Sequence, residues 1–274
     1  MVLSISGLGS QLSLNLIDRT KDRQMETLRN EAQHQRAAES FRERISNIST
    51  PEEFVKDFEV YSFVMRAFDL EDQIFGKGMM RKILESNPDD DESLLNRLVN
   101  ANFDEIHEAM GFTTGAGVQT PDFADTAWQD QIVDRYFDTV FRLENNVQNP
   151  TVGTVLELRD KVGEIDSWFD VLKDREIAEF FRTALALPSQ MATLDVDKQV
   201  EIFSEKFDLS KLSDPEEVSR LETRYLAISD VLNPPQFQTN SIAVQLLSSS
   251  ASGQFIPITI DIPSIQYASA SLYR

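Results

Sequence analysis

Cysteine is absent from the 274 residues, so disulfides, thiolate nucleophiles and zinc–thiolate sites are excluded. The absence fits either a cytoplasmic or an exported protein and assigns no compartment. Only two histidines occur, His34 and His107. They lie far apart in the sequence and read as exposed helical residues rather than as ligands or a general base. Positive charge is scarce: 26 Lys and Arg face 46 Asp and Glu, a formal net charge of −20. That balance argues against non-specific binding to nucleic acid or to an anionic membrane, both of which reward clustered cations. No apolar run approaches the roughly 20 residues needed to span a bilayer. The opening stretch MVLSISGLGSQLSLNLI lacks a basic leader and is interrupted by Ser and Gly, a poor cleavable signal. The expectation is a soluble protein, cytoplasmic as synthesised, with export without a cleavable signal left open.

Catalytic motifs are missing as well. There is no Gly-x-Ser-x-Gly turn and no dinucleotide-binding glycine fingerprint. Gly115 and Gly117 in GFTTGAGVQTP are not followed by Gly-Lys-Ser/Thr, so 111–121 reads as a connection and a candidate sub-boundary. The acids at 89–92 fail as a calcium loop. Counted from Asp89, the sixth residue is Leu94 instead of glycine and the twelfth is Asn100 instead of glutamate. Glu71-Asp72, Asp195-Asp197 and Asp214 with Glu216 and Glu217 could be drawn as metal or acid/base pairs. Charge placement at helix N-termini accounts for all three. No cofactor, metal or enzymatic activity is expected.

What the chain does contain is helical spacing. Thr50-Pro51-Glu52-Glu53 combines a capping hydroxyl, proline at the first helical position and acids against the positive helix end. Phe54, Phe58, Tyr61, Met65 and Phe68 follow at intervals of four, three, four and three, one stripe of a helix. Leu70, Ile74, Phe75, Met79, Ile83 and Leu84 suggest a second helix capped by Asp69. Leu94, Leu95, Leu98 and Val99 suggest a third, and Phe103–Met110 a fourth that ends at Gly111. Further on, Trp128, Ile132, Tyr136, Val140 and Leu143 precede a break at Pro150. Val155, Leu158, Val162, Ile165, Trp168, Phe169 and Leu172 then read as the return stripe of a helical hairpin. Ile177, Phe180, Phe181 and Ala184 mark a helix stopped at Leu187-Pro188. Val196, Val200, Phe203 and Phe207 mark the next, and Asp214-Pro215-Glu216-Glu217 opens the last, up to Asn233-Pro234-Pro235.

The two ends differ from this body. Residues 1–13 are small and polar and read as flexible unless docked. From Leu14 to Asn47 there is no Pro or Gly, and apolar residues are thin. Leu14, Ile17 and Leu28 belong either to a solvent-exposed helical arm or to half of an intermolecular helix pair. In 236–274, Ile256, Ile258, Ile260 and Ile262 alternate with Pro257, Thr259 and Asp261, which is strand spacing. Internal packing, disorder and addition to a partner all remain open there. The fold expectation is therefore mostly α, a multi-helix bundle or array with a long polar N-terminal helix and an extended or β-like tail. Its parts are 1–49, a helical core 50–235 and 236–274. The candidate partner-binding residues are Leu14, Ile17, Leu28, Ile256, Ile258 and Ile260.

MRAFDLEDQIFGKGMMRKILES and NRLVNANFDEIHEAMGF, followed by FFRTALALPSQMATLDVDKQ and DPEEVSRLETRYLA, carry a family resemblance. Over about 50–230 the chain resembles the alpha-proteobacterial domain-of-unknown-function family twelve-seventeen, whose members are often encoded among flagellar genes. The resemblance supplies no catalytic residues. It implies a non-enzymatic structural or interaction protein whose partners are flagellar components or further copies of itself, with no nucleic acid and no membrane span. The alternative is a cytoplasmic helical domain that binds a small molecule or regulates another protein, with a deep apolar pocket lined by Phe58, Phe75, Trp128 or Trp168.

Overall fold

A computed structural model describes residues 2–98, 100–112 and 121–233. Among these residues there are thirteen α-helices and no strand, which bears out the mostly-α expectation. The first seven are α1 (Ser10–Arg29), α2 (Ala32–Ile45), α3 (Pro51–Lys56), α4 (Phe58–Ala67), α5 (Lys77–Leu84), α6 (Leu94–Arg97) and α7 (Ala101–Met110). The rest are α8 (Thr126–Gln148), α9 (Pro150–Lys161), α10 (Trp168–Lys173), α11 (Arg175–Ala184), α12 (Val196–Lys206) and α13 (Pro215–Leu232). The tail, with Ile256, Ile258 and Ile260, lies outside the described residues.

The architecture is built on α8. It packs against α4 on one side and α9 on the other, while α1 also lies on it. Buried Ile132, Val133, Tyr136, Phe137, Val140 and Phe141 wrap more than one face of α8, the pattern of a central helix rather than a surface one. Next to α4, Phe41, Phe63 and Tyr136 form a run of stacked rings with centroids 4.7 and 4.2 Å apart. Beyond α9, Trp168 stacks on Phe203 at 4.8 Å and meets Phe181 edge-on at 5.2 Å. Both groups belong to one continuous core. The expected hairpin forms with a single linking residue. Asn149 ends α8, and its side chain accepts from the Val152 N–H while Pro150 begins α9. Gly153 lets the two helices close, since a methyl there would collide with the Asn146 side chain.

Several elements end where the residue chemistry says they should. Thr50 Oγ1 accepts from the Glu53 N–H at 3.2 Å, and Glu53 reaches back to the Ser49 N–H. Gly111, at φ 50°, closes α7 in the left-handed conformation. Sequence spacing alone does not mark Asp57 as a boundary. It is extended, and it accepts from the Val60 N–H, so one helix stops and a second starts there. The restart rotates Phe58 out of the stripe of Phe54, Tyr61 and Met65, leaving it 57% exposed. Phe75, expected inside a helix, lies in the bend between a 3₁₀ turn at Glu71–Gln73 and α5, and is 94% exposed. Trp168 begins α10 after a break, so the return stripe is not one helix.

The N-terminal expectation is corrected. The N–H groups of Val2, Leu3 and Ile5 donate to Glu144, Gln24 and Gln148 at 3.1, 2.7 and 2.8 Å, which docks the leading segment on α1 and α8. One long helix becomes two, broken at Asn30-Glu31. Leu14, Ile17 and Leu28 are buried in the chain's own core, where α1 meets α8, α9 and α13. Their thin stripe finds its partners within the chain, so these three side chains are not a free surface. The histidines are corrected too. His34 is 4% exposed, with Nδ1 2.8 Å from the Tyr136 hydroxyl, and His107 is 7% exposed, with Nε2 2.9 Å from the Ser86 carbonyl oxygen. Burial holds the His34 pKa below its ordinary value.

Tyr61 is fully buried with an unpartnered hydroxyl, and burial pushes its pKa up to about 12. An unsatisfied buried hydroxyl costs about 1–3 kcal/mol. Tyr61→Phe is expected to raise stability by about 1 kcal/mol, measured as a higher urea midpoint with unchanged slope.

Candidate functional site

Arg135, Thr139 and Arg142 stand at i, i+4 and i+7 on α8, one polar line beside Ile132. They meet the C-terminal end of α4, where carbonyls lack helical partners and the helix dipole favours cations. Thr139 Oγ1 and Arg135 Nε both donate to the Ala67 carbonyl, at 2.9 and 3.2 Å. The Arg135 guanidinium lies 4.2 Å from the Phe68 ring centroid and pairs with Glu105.

Arg142 donates to Asp69 at 2.8 Å and lies 3.6 Å from Glu157 Oε2 and 3.9 Å from Asp160. Lys161 Nζ donates to Glu157 Oε1 at 3.0 Å, Asp174 at 2.6 Å and Asn102 at 3.3 Å. These charges join the end of α4, α7, α8, α9 and the start of α11. Arg142 and Glu157 are buried, and Asp69 sits in the left-handed region at φ 54°. The Leu70 N–H bonds the Met65 carbonyl and the Asp69 N–H the Arg66 carbonyl, so Asp69 occupies the usual glycine place of a Schellman end. Ala186, at φ 53°, occupies the same place after α11. Ala186→Gly is expected to stabilise by about 0.5 kcal/mol, because lost strain slightly exceeds added chain entropy. Asp69→Gly should destabilise instead, since it removes the carboxylate that Arg142 hydrogen-bonds. Paired urea titrations compare the two signs.

Glu157 Oε2 is buried and receives no hydrogen bond from any N–H. The Glu176 carboxyl faces it. Burial first, then the hydrogen bond and negative charge of Glu157, push the Glu176 pKa up to about 7 from 4.5. A protonated Glu176 can donate to the Glu157 carboxylate. The folded state therefore holds a proton that the unfolded chain releases, and this contribution is complete below about pH 4.5 and lost as pH rises through about 7. Glu176→Gln keeps a donor and cannot ionise. It is expected to flatten the fall in urea midpoint between about pH 5 and about pH 8, and an unchanged fall would contradict the shared proton.

Above the network a cleft of about 690 Å³ opens between α7, α8 and α9. Phe68, Ala109 and Ile132 supply apolar surface, and Glu105, Glu108, Asp134, Asp138, Asp160 and Glu164 outnumber Arg135, Arg142 and Lys161. Burial raises the carboxyls of Asp138 and Asp160. A second cleft of about 400 Å³ lies between α2 and α4, with Arg36, Ser40, Ser62 and Arg66 around Phe63 and Tyr136.

The four aromatics considered for an apolar pocket do not converge, and none lines either cleft. Trp128 packs against Phe123 at 4.8 Å and donates to the Ala109 carbonyl, Trp168 stacks on Phe203, and Phe58 and Phe75 face outward. Of the carboxylate pairs, Glu71 is taken by Arg66 and Asp214 caps α13 through the Glu216 N–H. Among the described residues no group of three His, Asp or Glu could hold a metal ion, and no helix is long and apolar enough to cross a membrane. The polar line on α8 was missed by sequence reasoning, although a threonine and two arginines at helical spacing beside apolar residues are its trace.

The fold is shared with a solved protein. The chain is similar to the X-ray crystal structure of protein AGR_C_984 from Agrobacterium tumefaciens, with a TM-score of 0.73 and 26% identity over 85% of this chain and 98% of that one. No curated protein matches. The model of the family described as protein of unknown function (DUF1217) matches residues 67–218, more than half of the chain and spanning α5 to the start of α13. The chain belongs to the DUF1217 family.

Proposed function

We propose that the chain is a non-enzymatic protein-interaction component, a helical scaffold that presents an aromatic face to a partner, and that it works in the flagellar system. The two exposed phenylalanines, Phe58 and Phe75, carry this reading. Aromatic side chains are the usual anchors of protein interfaces, and 94% exposure of a phenylalanine in an otherwise well-filled core sequence has no folding benefit. The paired cations support it from the other side: Arg135, Arg142 and Lys161 are bound to carboxylates of their own chain and hold helices together. The flagellar setting rests on the family resemblance, whose members are often encoded among flagellar genes.

The test is affinity retrieval from motile cells with the full chain as bait, beside Phe58→Ser/Phe75→Ser. Rod, hook or export components are expected with the native chain and not with the variant. Equal retrieval by both, or none by either, would overturn the reading. The bait must keep residues 2–47, because Ile5, Ile17, Leu28, Phe41 and Ile45 among them belong to the core.

A further inference from the structure

We propose that the C-terminal run of Ile256, Ile258, Ile260 and Ile262 docks, within the same molecule, on the uncharged end of the fold where α1 begins and α13 stops. The aromatic residues Phe58 and Phe75 play no part in it. Three uncharged stretches meet at that end, and the chain leaves its last helix there.

In a chain of net charge −20, residues 2–17, 145–156 and 231–233 carry no charged side chain. A polar knot joins the three. The Ser10 hydroxyl donates to Asp230 and accepts from Asn149 Nδ2 at 3.1 Å, while the Ser10 N–H donates to Asp230 at 3.0 Å. Gln148 ties in the leading segment, accepting from the Ile5 N–H at 2.8 Å and donating to the Leu3 carbonyl at 3.4 Å. The flanking carboxylates are occupied, Asp230 by Ser10 and Glu144 by the Val2 N–H at 3.1 Å. Around the knot, aliphatic side chains reach solvent: Leu3 is 44% exposed, Leu12 58%, Leu232 67%, Val231 80% and Val147 84%. Each lies within two residues of Ser10, Gln148 or Asp230 or, as Leu3, is bonded to one of them. They are five of the ten large apolar side chains exposed among the described residues, a concentration that marks a contact site.

The chain itself supplies the occupant. It leaves α13 at Asn233, directly after Val231 and Leu232, and Pro234-Pro235 bars the helix from continuing. Asp261 and Arg274 are the only charged side chains in 234–274, whereas 26% of the whole chain is charged. A segment this poor in charge gains from burying its apolar side chains. Within it the isoleucines at 256, 258, 260 and 262 recur at every second position, which in an extended segment places all four on one side. Pro257 and Pro263 suit a segment laid on a surface and would interrupt one inside a sheet. Residues 234–255 tether the run to the end of α13 at an effective concentration on the order of millimolar, so in dilute solution its own molecule outcompetes a second copy. Contact between two uncharged surfaces also avoids the repulsion that the acidic faces of the molecule present.

The test is hydroxyl-radical footprinting of the full chain at about 1 μM, read residue by residue by mass spectrometry. In the native chain Val147 and Val231 should be oxidised severalfold less than Val196 on α12, although Val196 is only 51% exposed among the described residues. In Ile256→Ser/Ile258→Ser/Ile260→Ser, Val147 and Val231 should react more than Val196, in the order of their exposures. The reciprocal variant Val231→Ser/Leu232→Ser should release the tail, so that chymotrypsin cuts after Phe255 about tenfold faster than in the native chain. Its melting curve should be unchanged, since both substituted side chains are exposed. Equal oxidation of Val147 and Val231 in the native chain and the triple variant, or equal cleavage after Phe255 in the native chain and the reciprocal variant, would overturn the proposal. Protection that appears only as concentration rises toward about 100 μM would assign the cover to a second copy, and would overturn it as well.

Discussion

A chain lacking residues 2–47 is expected to lose its fold, appearing by circular dichroism and exclusion chromatography as aggregated or unfolded protein. Ile5, Ile17, Leu28, Phe41 and Ile45 are fully buried, and Leu14 nearly so. Burying one such side chain contributes about 1.5–3 kcal/mol. The six together contribute on the order of 10 kcal/mol, comparable to the whole 5–15 kcal/mol stability of a domain. Their removal also bares Tyr136, whose ring runs into Phe63 and on to Phe41, and leaves its hydroxyl without His34. A truncated chain that melts cooperatively near the native temperature would restore the separate-arm picture.

Arg142→Met is expected to cost about 3–5 kcal/mol at neutral pH, the usual penalty for breaking a buried charge pair from one side. The methionine fills much of the volume, so packing changes little. What changes is charge: Asp69 and Glu157 lose their guanidinium while Lys161 still holds Glu157 and Asp174. Replacing Arg142, Asp69 and Glu157 together by apolar residues of similar size should cost far less than the single change. Urea unfolding of the single and triple variants separates these outcomes, and equal losses would mean the network is not coupled.

Much of the fold is legible because caps and prolines act locally. Thr50-Pro51, Asn149-Pro150, Asp214-Pro215 and Gly111 end or begin helices by interactions within four residues, so sequence spacing finds them. Asp57 escapes because a carboxylate inside a periodic stripe looks like a surface residue until its Val60 bond is seen. That one boundary decides that Phe58 faces outward. The N-terminal helices are hard to place from sequence for a different reason. A narrow apolar stripe does not say whether its partner surface is in the same chain or another, and only the placement of α8, α9 and α13 answers that. The buried charges are the least legible, since Arg142, Glu157 and Lys161 are brought together across helices, and in a chain with 46 acids no single carboxylate stands out.

The claim that Phe58 and Phe75 form a working surface is tested most directly by oxidative footprinting inside motile cells. Phe75 in purified, dilute protein should be oxidised readily, as its 94% exposure requires, and Phe58 at 57% somewhat less. In cells both should be protected severalfold, while exposed apolar residues elsewhere, such as Val147, react alike in the two settings. Equal oxidation of Phe75 in cells and in dilute solution would mean that nothing covers this face, and would contradict the account.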